Sequence, residues 1–237
     1  IQCINERTIG VKYDFILPIN KILLKENPNF IINFASESNV EQSTLNPVYC
    51  LKNNYDIAVN MFEFARNCKN LELFIQMSTD EVYGEALPNS SHKEWSPIVP
   101  CNPYAASKAA QEAVAISYWK TYNVPIVIVN TMNIIGERQN SEKFIPKIIQ
   151  KISSGQEVPI YSCNNIIGSR VYLHAQNLAD ALIFISEIQP KNNTNWFPDR
   201  YNICGNNEIN NLELAQLIAD IMGKELKYKL TSSQSNR

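Results

Sequence analysis

The sequence has little glycine, little histidine and almost no net charge, and each shortage narrows what the chain can be. Its 237 residues include seven glycines, and no GxGxxG or GxxGxxG string is present. Two histidines argue against a metal site built from histidine ligands. A formal net charge of −2 gives no electrostatic attraction for nucleic acid or for an acidic membrane, so we expect neither as a partner.

Long apolar runs and paired cysteine motifs are also missing. No apolar run approaches the ~18–20 residues that span a bilayer, so we expect no membrane-spanning segment. The six cysteines form no CxxC pair, and their scatter fits buried thiols in a reducing cytosol. We therefore predict a cytoplasmic protein. Hydrophobic residues make up 45% of the chain, which is enough for a sizeable core.

Apolar runs alternate with helical spacing along the first half of the chain. The runs Phe30–Ala35, Leu71–Met77 and Pro125–Val129 are typical of buried parallel strands. Between them, Val48–Cys68 carries apolar residues at helical spacing. The segment Pro103–Tyr122 begins with a proline that suits the first turn of a helix. This alternation predicts an α/β fold with a parallel sheet and right-handed crossovers.

From about residue 140 the pattern changes to helices separated by short apolar segments. We predict a first domain over residues 1–140 and a smaller second lobe over 141–237. The polar stretch Gln189–Arg200 is typical of a surface loop. The helices predicted in this second part are Phe144–Ser153, Leu178–Ile188 and Leu212–Met222.

Two short strings carry chemically active side chains. The first, STDEVYG, places Thr79, Asp80 and Glu81 where an apolar strand ends. The second, NPYAASK, places Tyr104 and Lys108 four residues apart, on one face of a helix. Because ligands of open α/β sheets bind beyond the carboxyl ends of the strands, we expect all five side chains at one cleft. Together they suffice for redox and elimination chemistry on a sugar-like substrate.

These strings resemble those of the extended short-chain dehydrogenase/reductases, and within them the nucleotide-sugar 4,6-dehydratases. The acidic pair is the specific part, since epimerases and decarboxylases of that superfamily share the tyrosine–lysine pair but usually lack it. The resemblance covers roughly residues 10–235. It implies an NAD-binding, Rossmann-type doubly wound parallel sheet and a smaller C-terminal α/β lobe for the nucleotide sugar. The similar stretches are Asn33–Val40, Ser78–Glu85, Asn102–Lys108, Asn133–Pro146 and the segment around Arg170.

The resemblance implies dehydration of dTDP- or UDP-glucose to a 4-keto-6-deoxy sugar. Tyr104, supported by Lys108 and Thr79, takes the proton of the sugar 4-hydroxyl while hydride passes from carbon 4 to NAD. Glu81 then removes the proton of carbon 5, Asp80 protonates the departing 6-hydroxyl, and the hydride returns to carbon 6. Two enzymatic alternatives stay open: a UDP-N-acetylglucosamine 4,6-dehydratase, with or without inversion at carbon 5, and a nucleotide-sugar 4-epimerase. A non-catalytic nucleotide-sugar-binding protein is the alternative from another class.

The tyrosine needs help to act as a base near neutral pH, because a free tyrosine has a pKa near ~10. A nearby lysine ammonium favours the phenolate. Lowering the pKa of Tyr104 by ~3 units requires about 4 kcal/mol of differential interaction. We expect the ammonium of Lys108 and a cationic nicotinamide ring to supply it together.

Further site residues and a dimer follow from the resemblance alone. No metal ligand is implied. Family members usually dimerise through two helices per subunit, so we expect a homodimer formed by the helices 48–68 and 103–122. The implied cofactor contacts are Ala35, Ser36 and Asn54, besides Tyr104 and Lys108. The implied substrate contacts are Glu37, Asn133, Lys143 and Arg170.

The chain also departs from the family in several places. The glycine-rich phosphate loop of the family does not occur in this sequence, and we expect it ahead of residue 1 or in residues missing from the sequence. Asn33 and Asn39 stand where the family often has histidines. Asn130, Thr131 and Met132 replace a more usual Arg-Cys-Ser. These changes suggest a subgroup with a different sugar or base.

Overall fold

The computed structural model describes residues 8, 10–19, 25, 27–86, 90–163, 166–188 and 196–232. The chain divides into two compact units. The first unit comprises residues 1–131 and 185–202, and the second comprises residues 132–184 and 203–237. Each unit has a hydrophobic core of its own.

A four-stranded sheet forms the centre of the first unit. Its strands are β1 (Phe30–Asn33), β2 (Leu73–Thr79), β3 (Ile126–Thr131) and β9 (Asp199–Ile203), in the order β1-β2-β3-β9. β2 pairs in parallel with both β1 and β3. Every residue of β2 is buried, as expected for a parallel strand with neighbours on both sides and helices on its faces. The predicted α/β fold with a parallel sheet of Rossmann type is confirmed.

Three helices of the first unit connect these strands. They are α1 (Val40–Leu45), α2 (Pro47–Asn67) and α3 (Pro103–Tyr122). Both long helices begin with an asparagine cap followed by proline, a strong local start signal. α3 ends at Asn123, which adopts a left-handed conformation with φ +56°. The core residues that α2 and α3 bury against the sheet include Phe62, Ala115 and Trp119.

The second unit combines short strands with further helices. The elements from residue 132 onward, besides β9, are β4 (Ile134–Ile135), α4 (Phe144–Ser153), β5 (Val158–Cys163), β6 (Ile166–Ile167), β7 (Ser169–Val171), β8 (Leu173–His174), α5 (Ala175–Ile188), β10 (Glu208–Asn210), α6 (Asn211–Ile221) and β11 (Tyr228–Ser232). The core of the unit lies where α4 and α6 pack against β5. The small sheets formed by its described residues have the orders β11-β5-β6, β10-β7 and β4-β8.

No helix in the described part of the chain is both long enough and apolar enough to cross a bilayer.

The predicted surface loop over Gln189–Arg200 is wrong at its end. Residues 189–195 lie outside the described residues. Asp199 and Arg200 begin β9, and Arg200 is only 5% exposed. Its guanidinium is buried because Glu112 of α3 offers it a carboxylate. That partner is 88 positions away in sequence, so the local composition gives no sign of it.

The prediction of buried thiols holds for two of the described cysteines and fails for two. Cys50 and Cys68 are buried, whereas Cys101 and Cys204 are exposed. Cys101 directly precedes the cap of α3, and Cys204 follows the end of β9. Both residues therefore lie just outside a helix or strand, and their side chains are not packed into the core.

Strand β1 lies at an edge of the sheet in the described part of the chain. Every second residue there is apolar and exposed: Phe30 at 47%, Ile32 at 43% and Phe34, just past the strand, at 59%. Ile31 and Asn33 between them are buried. We call Phe30, Ile32 and Phe34 the β1 ridge.

Candidate active site

The end of β2 continues directly into a 3₁₀ turn that carries the acidic pair. The turn spans Asp80–Tyr83. Thr79, which is buried, caps it by accepting a hydrogen bond from the Glu81 backbone N–H at 3.3 Å. The Thr79 hydroxyl also donates to Asp80 Oδ1 at 3.2 Å. One hydroxyl therefore fixes the positions of the two carboxylate-bearing residues that follow it.

Gly84 ends the turn and brings a second segment against it. Its φ is +77°, a conformation that favours glycine. A Cβ at this position would lie 2.5 Å from the Val99 carbonyl oxygen. The Val99 backbone N–H donates to the Val82 carbonyl at 2.9 Å. The chain just before α3 thus packs on the 3₁₀ turn, and a side chain at position 84 would force the two apart.

The start of α3 is tied to the turn and to α1. Asn102 caps the helix by accepting from the Ala105 backbone N–H at 2.8 Å, and its Nδ2 donates to Glu81 Oε2 at 2.9 Å. The backbone N–H of Tyr104 donates to Ser43 Oγ of α1 at 3.2 Å. These bonds hold the first turn of α3, and with it Tyr104, beside the acidic pair.

The phenol of Tyr104 lies among the predicted catalytic groups of the turn. Its hydroxyl lies next to the hydroxyl of Thr79. Burial raises the pKa of Tyr104 above its ordinary value, and the nearby carboxylates of Glu81 and Asp80 raise it further. The neighbouring Thr79 hydroxyl lowers this pKa, in the opposite direction. The structure thus brings four of the five predicted catalytic side chains together.

Lys108 is buried one helical turn further along α3. Its Nζ donates to the Met77 carbonyl oxygen of β2 at 2.7 Å and to Gln111 Oε1 at 2.6 Å. Burial lowers the pKa of Lys108 to about 8, and the carboxylate of Glu112 opposes that shift. Without a nicotinamide ring, Lys108 alone does not lower the pKa of Tyr104, so the joint effect expected of the lysine and the cofactor stays a prediction. Burial and the two carboxylates dominate the surroundings of Tyr104, while the amine of Lys108 is directed to β2 and Gln111.

The residues expected to contact the cofactor lie around the end of β1. Ala35 and Ser36 are half-buried directly after the strand. Asn54 of α2 is fully buried, and its amide is already engaged. Its Oδ1 accepts from the Glu37 backbone N–H at 2.7 Å, and its Nδ2 donates to the Glu37 carbonyl at 3.0 Å and to Ser107 Oγ at 2.7 Å. Asn54 therefore braces the segment after β1 against α2 and α3, and a contact with a cofactor would require its amide to leave these bonds.

A cleft opens next to these residues in the first unit. Its volume is about 300 Å³. Cys50 at its base is 1% exposed and lies close enough to Tyr104 to influence the pKa of the phenol. The cleft thus adjoins the catalytic tyrosine predicted from the sequence. Its lining residues are Glu37, Gln42, Asn46, Tyr49 and Cys50.

Three of the four predicted substrate contacts belong to the second unit. Asn133 is exposed, adopts a φ of +35°, and donates from Nδ2 to the Val171 carbonyl at 2.9 Å. Arg170, the neighbour of Val171 on β7, is also exposed. Asn133 and Arg170 are therefore close to each other in the second unit. Lys143 occupies the cap position of α4.

Reasoning from the sequence missed several polar residues that hold the site. Glu112 follows Tyr104 and Lys108 on the same face of α3, so its spacing was a usable signal. The position of Asn102 just before a helix-starting proline was another. Arg200 had no local signal, because its partner lies in a distant part of the sequence.

Comparison with known proteins places this geometry in a family. The sequence model of the NAD dependent epimerase/dehydratase family matches residues 14–204 of this chain. The dTDP-glucose 4,6-dehydratase of Haemophilus influenzae is 30% identical over 229 residues, which cover 92% of this chain and 65% of that protein. The chain spans 60% to 65% of the length of three of the curated relatives that it matches.

Solved structures of both dehydratases and epimerases resemble the chain. A dTDP-glucose 4,6-dehydratase of Bacillus anthracis in complex with NAD is 27% identical, with a TM-score of 0.78 over 96% of this chain and 68% of that one. A UDP-N-acetylglucosamine 4-epimerase of Methanobrevibacter ruminantium is 25% identical, with a TM-score of 0.82 over 96% of this chain and 71% of that one. With its parallel sheet, its tyrosine–lysine pair and a family match over most of its length, the chain belongs to the NAD dependent epimerase/dehydratase family.

Proposed function

We propose that the protein catalyses the NAD-dependent 4,6-dehydration of a nucleoside-diphosphate hexose, dTDP- or UDP-glucose, to a 4-keto-6-deoxy sugar. The observation that carries the proposal is the meeting of Thr79, Asp80, Glu81 and Tyr104 where β2 ends. An elimination needs one group to take a carbon-bound proton and another to protonate the departing hydroxyl. The acidic pair supplies both, and a simple alcohol oxidation needs neither. Similarity to the dehydratases of H. influenzae and B. anthracis supports the same assignment.

Each side chain has one role in the proposed reaction. Tyr104 takes the proton of the sugar 4-hydroxyl, and Thr79, whose hydroxyl lies next to the phenol, orients that sugar hydroxyl. Glu81 takes the proton of carbon 5, which the 4-keto group makes acidic. Asp80, in its protonated form, gives a proton to the 6-hydroxyl, which leaves as water. Once carbon 6 has been reduced, Glu81 returns a proton that has exchanged with solvent to carbon 5. Lys108 provides positive charge behind Tyr104 from its buried site.

NAD, when bound, would accept the hydride of carbon 4, return it to carbon 6, and place a cationic ring near the phenol. The residues present fit the nicotinamide end of this cofactor. Lys108 has a third N–H donor beyond the two that it uses, and Ala35 and Ser36 lie at the neighbouring strand end. A glycine-rich phosphate turn is not found among the described residues. We propose NAD binding for residues 1–140 and nucleotide-sugar binding mainly for 141–237.

The substrate contacts are proposed on chemical grounds. Glu37 lines the cleft beside Tyr104, where a carboxylate suits sugar hydroxyls. An arginine such as Arg170 binds a phosphate with two parallel hydrogen bonds, and Lys143 can add a point charge. Asn133, close to Arg170, offers an amide to the sugar or the diphosphate. Replacing Arg170 with Lys should raise KM more than it lowers kcat.

A panel of nucleotide sugars tests the proposed function. The full-length protein is incubated with NAD and with dTDP-glucose, UDP-glucose or UDP-N-acetylglucosamine in deuterated water. We expect a product that has lost one water, carries a 4-keto group and has deuterium at carbon 5. A protein that binds these sugars without converting any of them would instead be a non-catalytic binding protein.

The role of Glu81 has a matched control in the same segment. Replacing Glu81 with Gln should lower product formation by a factor of roughly 10²–10⁴, the usual contribution of a general base, with sugar binding nearly unchanged. Glu85 is exposed and lies past the 3₁₀ turn. Replacing it with Gln makes the same chemical change away from the proposed site and should leave turnover unchanged. Equal turnover of the two variants would remove Glu81 from the role of base.

A nucleotide-sugar 4-epimerase is the second candidate. The resemblance to the M. ruminantium epimerase favours it, as does the tyrosine–lysine pair, which suffices for oxidation and re-reduction at carbon 4. Solvent deuterium separates the two reactions, because a simple 4-epimerase leaves the carbon 5 proton in place. Product without water loss and without deuterium at carbon 5 would establish the epimerase.

We also propose that the protein forms a homodimer through α2 and α3. The two helices pack against each other, and α2 still exposes Val48 at 73%, Leu51 at 39% and Tyr55 at 48%. These residues fall at helical spacing and form one apolar stripe. Replacing Val48 with Lys should convert a dimer to a monomer in sedimentation experiments. A wild-type protein that sediments as a monomer at all concentrations would contradict the proposal.

A further inference from the structure

A buried polar network lies behind the proposed catalytic residues. At its centre is Glu112 of α3, whose side chain is fully buried. Its Oε1 accepts from Ser78 Oγ at 2.5 Å and from Asn130 Nδ2 at 2.8 Å, and its Oε2 accepts from Arg200 Nη2 at 2.7 Å. The four side chains come from α3, β2, β3 and β9. One carboxylate therefore joins the helix to three strands of the sheet.

The network reaches the catalytic strand end by two routes. Ser78 is the residue immediately before Thr79 on β2. Asn130 donates from the same Nδ2 to the Thr79 carbonyl oxygen at 2.9 Å. Glu112 itself lies one helical turn after Lys108. A displacement of the carboxylate would thus move the backbone of Thr79 through Asn130, and it would change the electrostatic surroundings of the Lys108 amine.

Stability alone does not account for these charges. A buried ion pair is costly to desolvate, and apolar residues of similar volume often replace one without loss of stability. Among the described residues, Arg200 Nε and Asn130 Oδ1 are buried without a hydrogen-bond partner, so the burial is only partly compensated. Asn130 is also one of the positions at which the sequence departs from the family. A carboxylate kept at this cost, next to the proposed catalytic groups, points to a role in their reaction.

We propose that Glu112 is a positioning residue of the proposed active site, which holds the end of β2 against α3. The proposal rests on the proposed function for its kinetic consequences. Arg200 completes the arrangement from β9: its Nη1 donates to the Glu94 carbonyl at 3.1 Å, and its guanidinium lies 4.3 Å above the ring of Trp95. The segment before α3 is thereby anchored to the same carboxylate.

The electrostatic part of the role follows from what surrounds the two groups. The buried carboxylate of Glu112 favours the ammonium of Lys108 and so keeps the pKa of that lysine from falling further. Arg200 neutralises part of this effect from the opposite side. Among the described residues, Arg200 of β9 and Tyr83 of the 3₁₀ turn face Glu112 from the neighbouring elements, and Glu94 of the segment before α3 lies near Tyr83.

Replacing Glu112 with Gln tests the charge while keeping the acceptor for Ser78 and Asn130. In full-length protein labelled with ¹³C-lysine, the signal of Lys108 is assigned by its loss in the Lys108→Met variant. We expect E112Q to lower the pKa of Lys108 by about one pH unit. In the kinetic assay, kcat should fall at least tenfold, KM should change by less than threefold, and the basic limb of the pH profile should move down with the lysine.

The matched control is Glu63→Gln on α2. Glu63 also pairs with an arginine, Arg66, but both side chains are about 40% exposed. E63Q should leave the pKa of Lys108 and the kinetic constants unchanged. If E112Q gives the same titration and the same kcat as E63Q, the proposal is overturned.

A second variant keeps the charge and moves it. Glu112→Asp retracts the carboxylate by one methylene, away from Ser78 and Asn130. We expect the titration of Lys108 to stay close to wild type while kcat falls several-fold, and an Asp variant with wild-type kcat would overturn the positioning role. If the wild-type protein converts no nucleotide sugar, the proposed function fails, whereas the lysine titration still decides whether Glu112 supports the charge of Lys108.

Discussion

Asn102 Nδ2 donates a 2.9 Å hydrogen bond to Glu81 Oε2, while Asn102 Oδ1 accepts from the Ala105 backbone N–H. One amide therefore both begins α3 and holds the carboxylate that we assign as the base. The cap of α3 and the orientation of Glu81 both depend on Asn102, the first on its oxygen and the second on its nitrogen. Substitutions that change only one of these atoms therefore test the two effects separately.

Two substitutions of Asn102 should have different effects. Asn102→Ala removes the cap and should lower the free energy of unfolding by about 1 kcal/mol. Asn102→Asp keeps an oxygen cap but places a second carboxylate against Glu81. Its stability should stay near wild type in denaturant titrations, while repulsion moves Glu81 and kcat falls on the order of tenfold, equivalent to about 1.4 kcal/mol. An Asp variant with full activity would show that this bond does not orient Glu81.

The ionisation of Tyr104 should be visible by ultraviolet difference spectroscopy. Burial and the carboxylates of Glu81 and Asp80 raise its pKa above the ordinary value, so the neutral phenol persists to higher pH than in a free tyrosine. The difference between wild type and Tyr104→Phe should show no phenolate below about pH 10. Saturation of the full-length protein with NAD should move the titration to lower pH. A phenolate signal at neutral pH in the free protein would contradict this assignment.

Lys108 should make the stability of the protein depend on pH in a defined direction. Its pKa is about 8 in the folded protein, against an ordinary value of 10.5. Between these values the unfolded chain binds a proton that the folded protein does not, so the free energy of unfolding rises with pH. Relative to Lys108→Met, the wild type should gain up to about 3 kcal/mol between pH 8 and pH 10.5. Chemical denaturation at several pH values measures the free energy of unfolding of both proteins. A difference between wild type and Lys108→Met that does not change with pH would refute the lowered pKa.

Gly84 should tolerate no side chain, and Gly155 provides the control. Both have positive φ, +77° and +67°, but a Cβ at Gly84 would meet the Val99 carbonyl at 2.5 Å whereas a Cβ at Gly155 meets nothing within 4 Å. Gly155→Ala should therefore cost only the backbone strain, about 1 kcal/mol. Gly84→Ala should cost clearly more and should lower kcat, because the turn that carries Asp80 and Glu81 must shift. If Gly84→Ala and Gly155→Ala lower the free energy of unfolding equally, the segment around Val99 moves aside without loss of stability, and the prediction is wrong.

The sequence predicts most of the elements because their signals are local. The helix expected over Pro103–Tyr122 has these bounds in the structure, since an asparagine–proline start and a left-handed end both lie in the nearby sequence. The strand expected over Leu71–Met77 is shifted by two residues to Leu73–Thr79. That shift brings Thr79 into the strand. The prediction followed the apolar residues and therefore ended at Met77, because the polar residues Ser78 and Thr79 do not continue the apolar run.

What the sequence could not predict depends on contacts between distant segments. Arg200 lies in a polar stretch, and only the fold shows that Glu112 draws it into the interior. The amine of Lys108 is directed at a main-chain carbonyl of β2, whereas helical spacing alone suggested the phenol of Tyr104. Spacing along a helix establishes which residues share a face, but it does not decide which neighbour a long side chain reaches.

The β1 ridge has a consequence for the behaviour of the protein in solution. An edge strand presents backbone N–H and C=O groups on which another chain can add a strand. At β1 these groups run beside three exposed apolar side chains, Phe30, Ile32 and Phe34. A protein whose β1 edge is uncovered is therefore expected to associate with its own copies strand to strand. That association would use the strand that leads to Ala35 and Ser36, the proposed cofactor contacts.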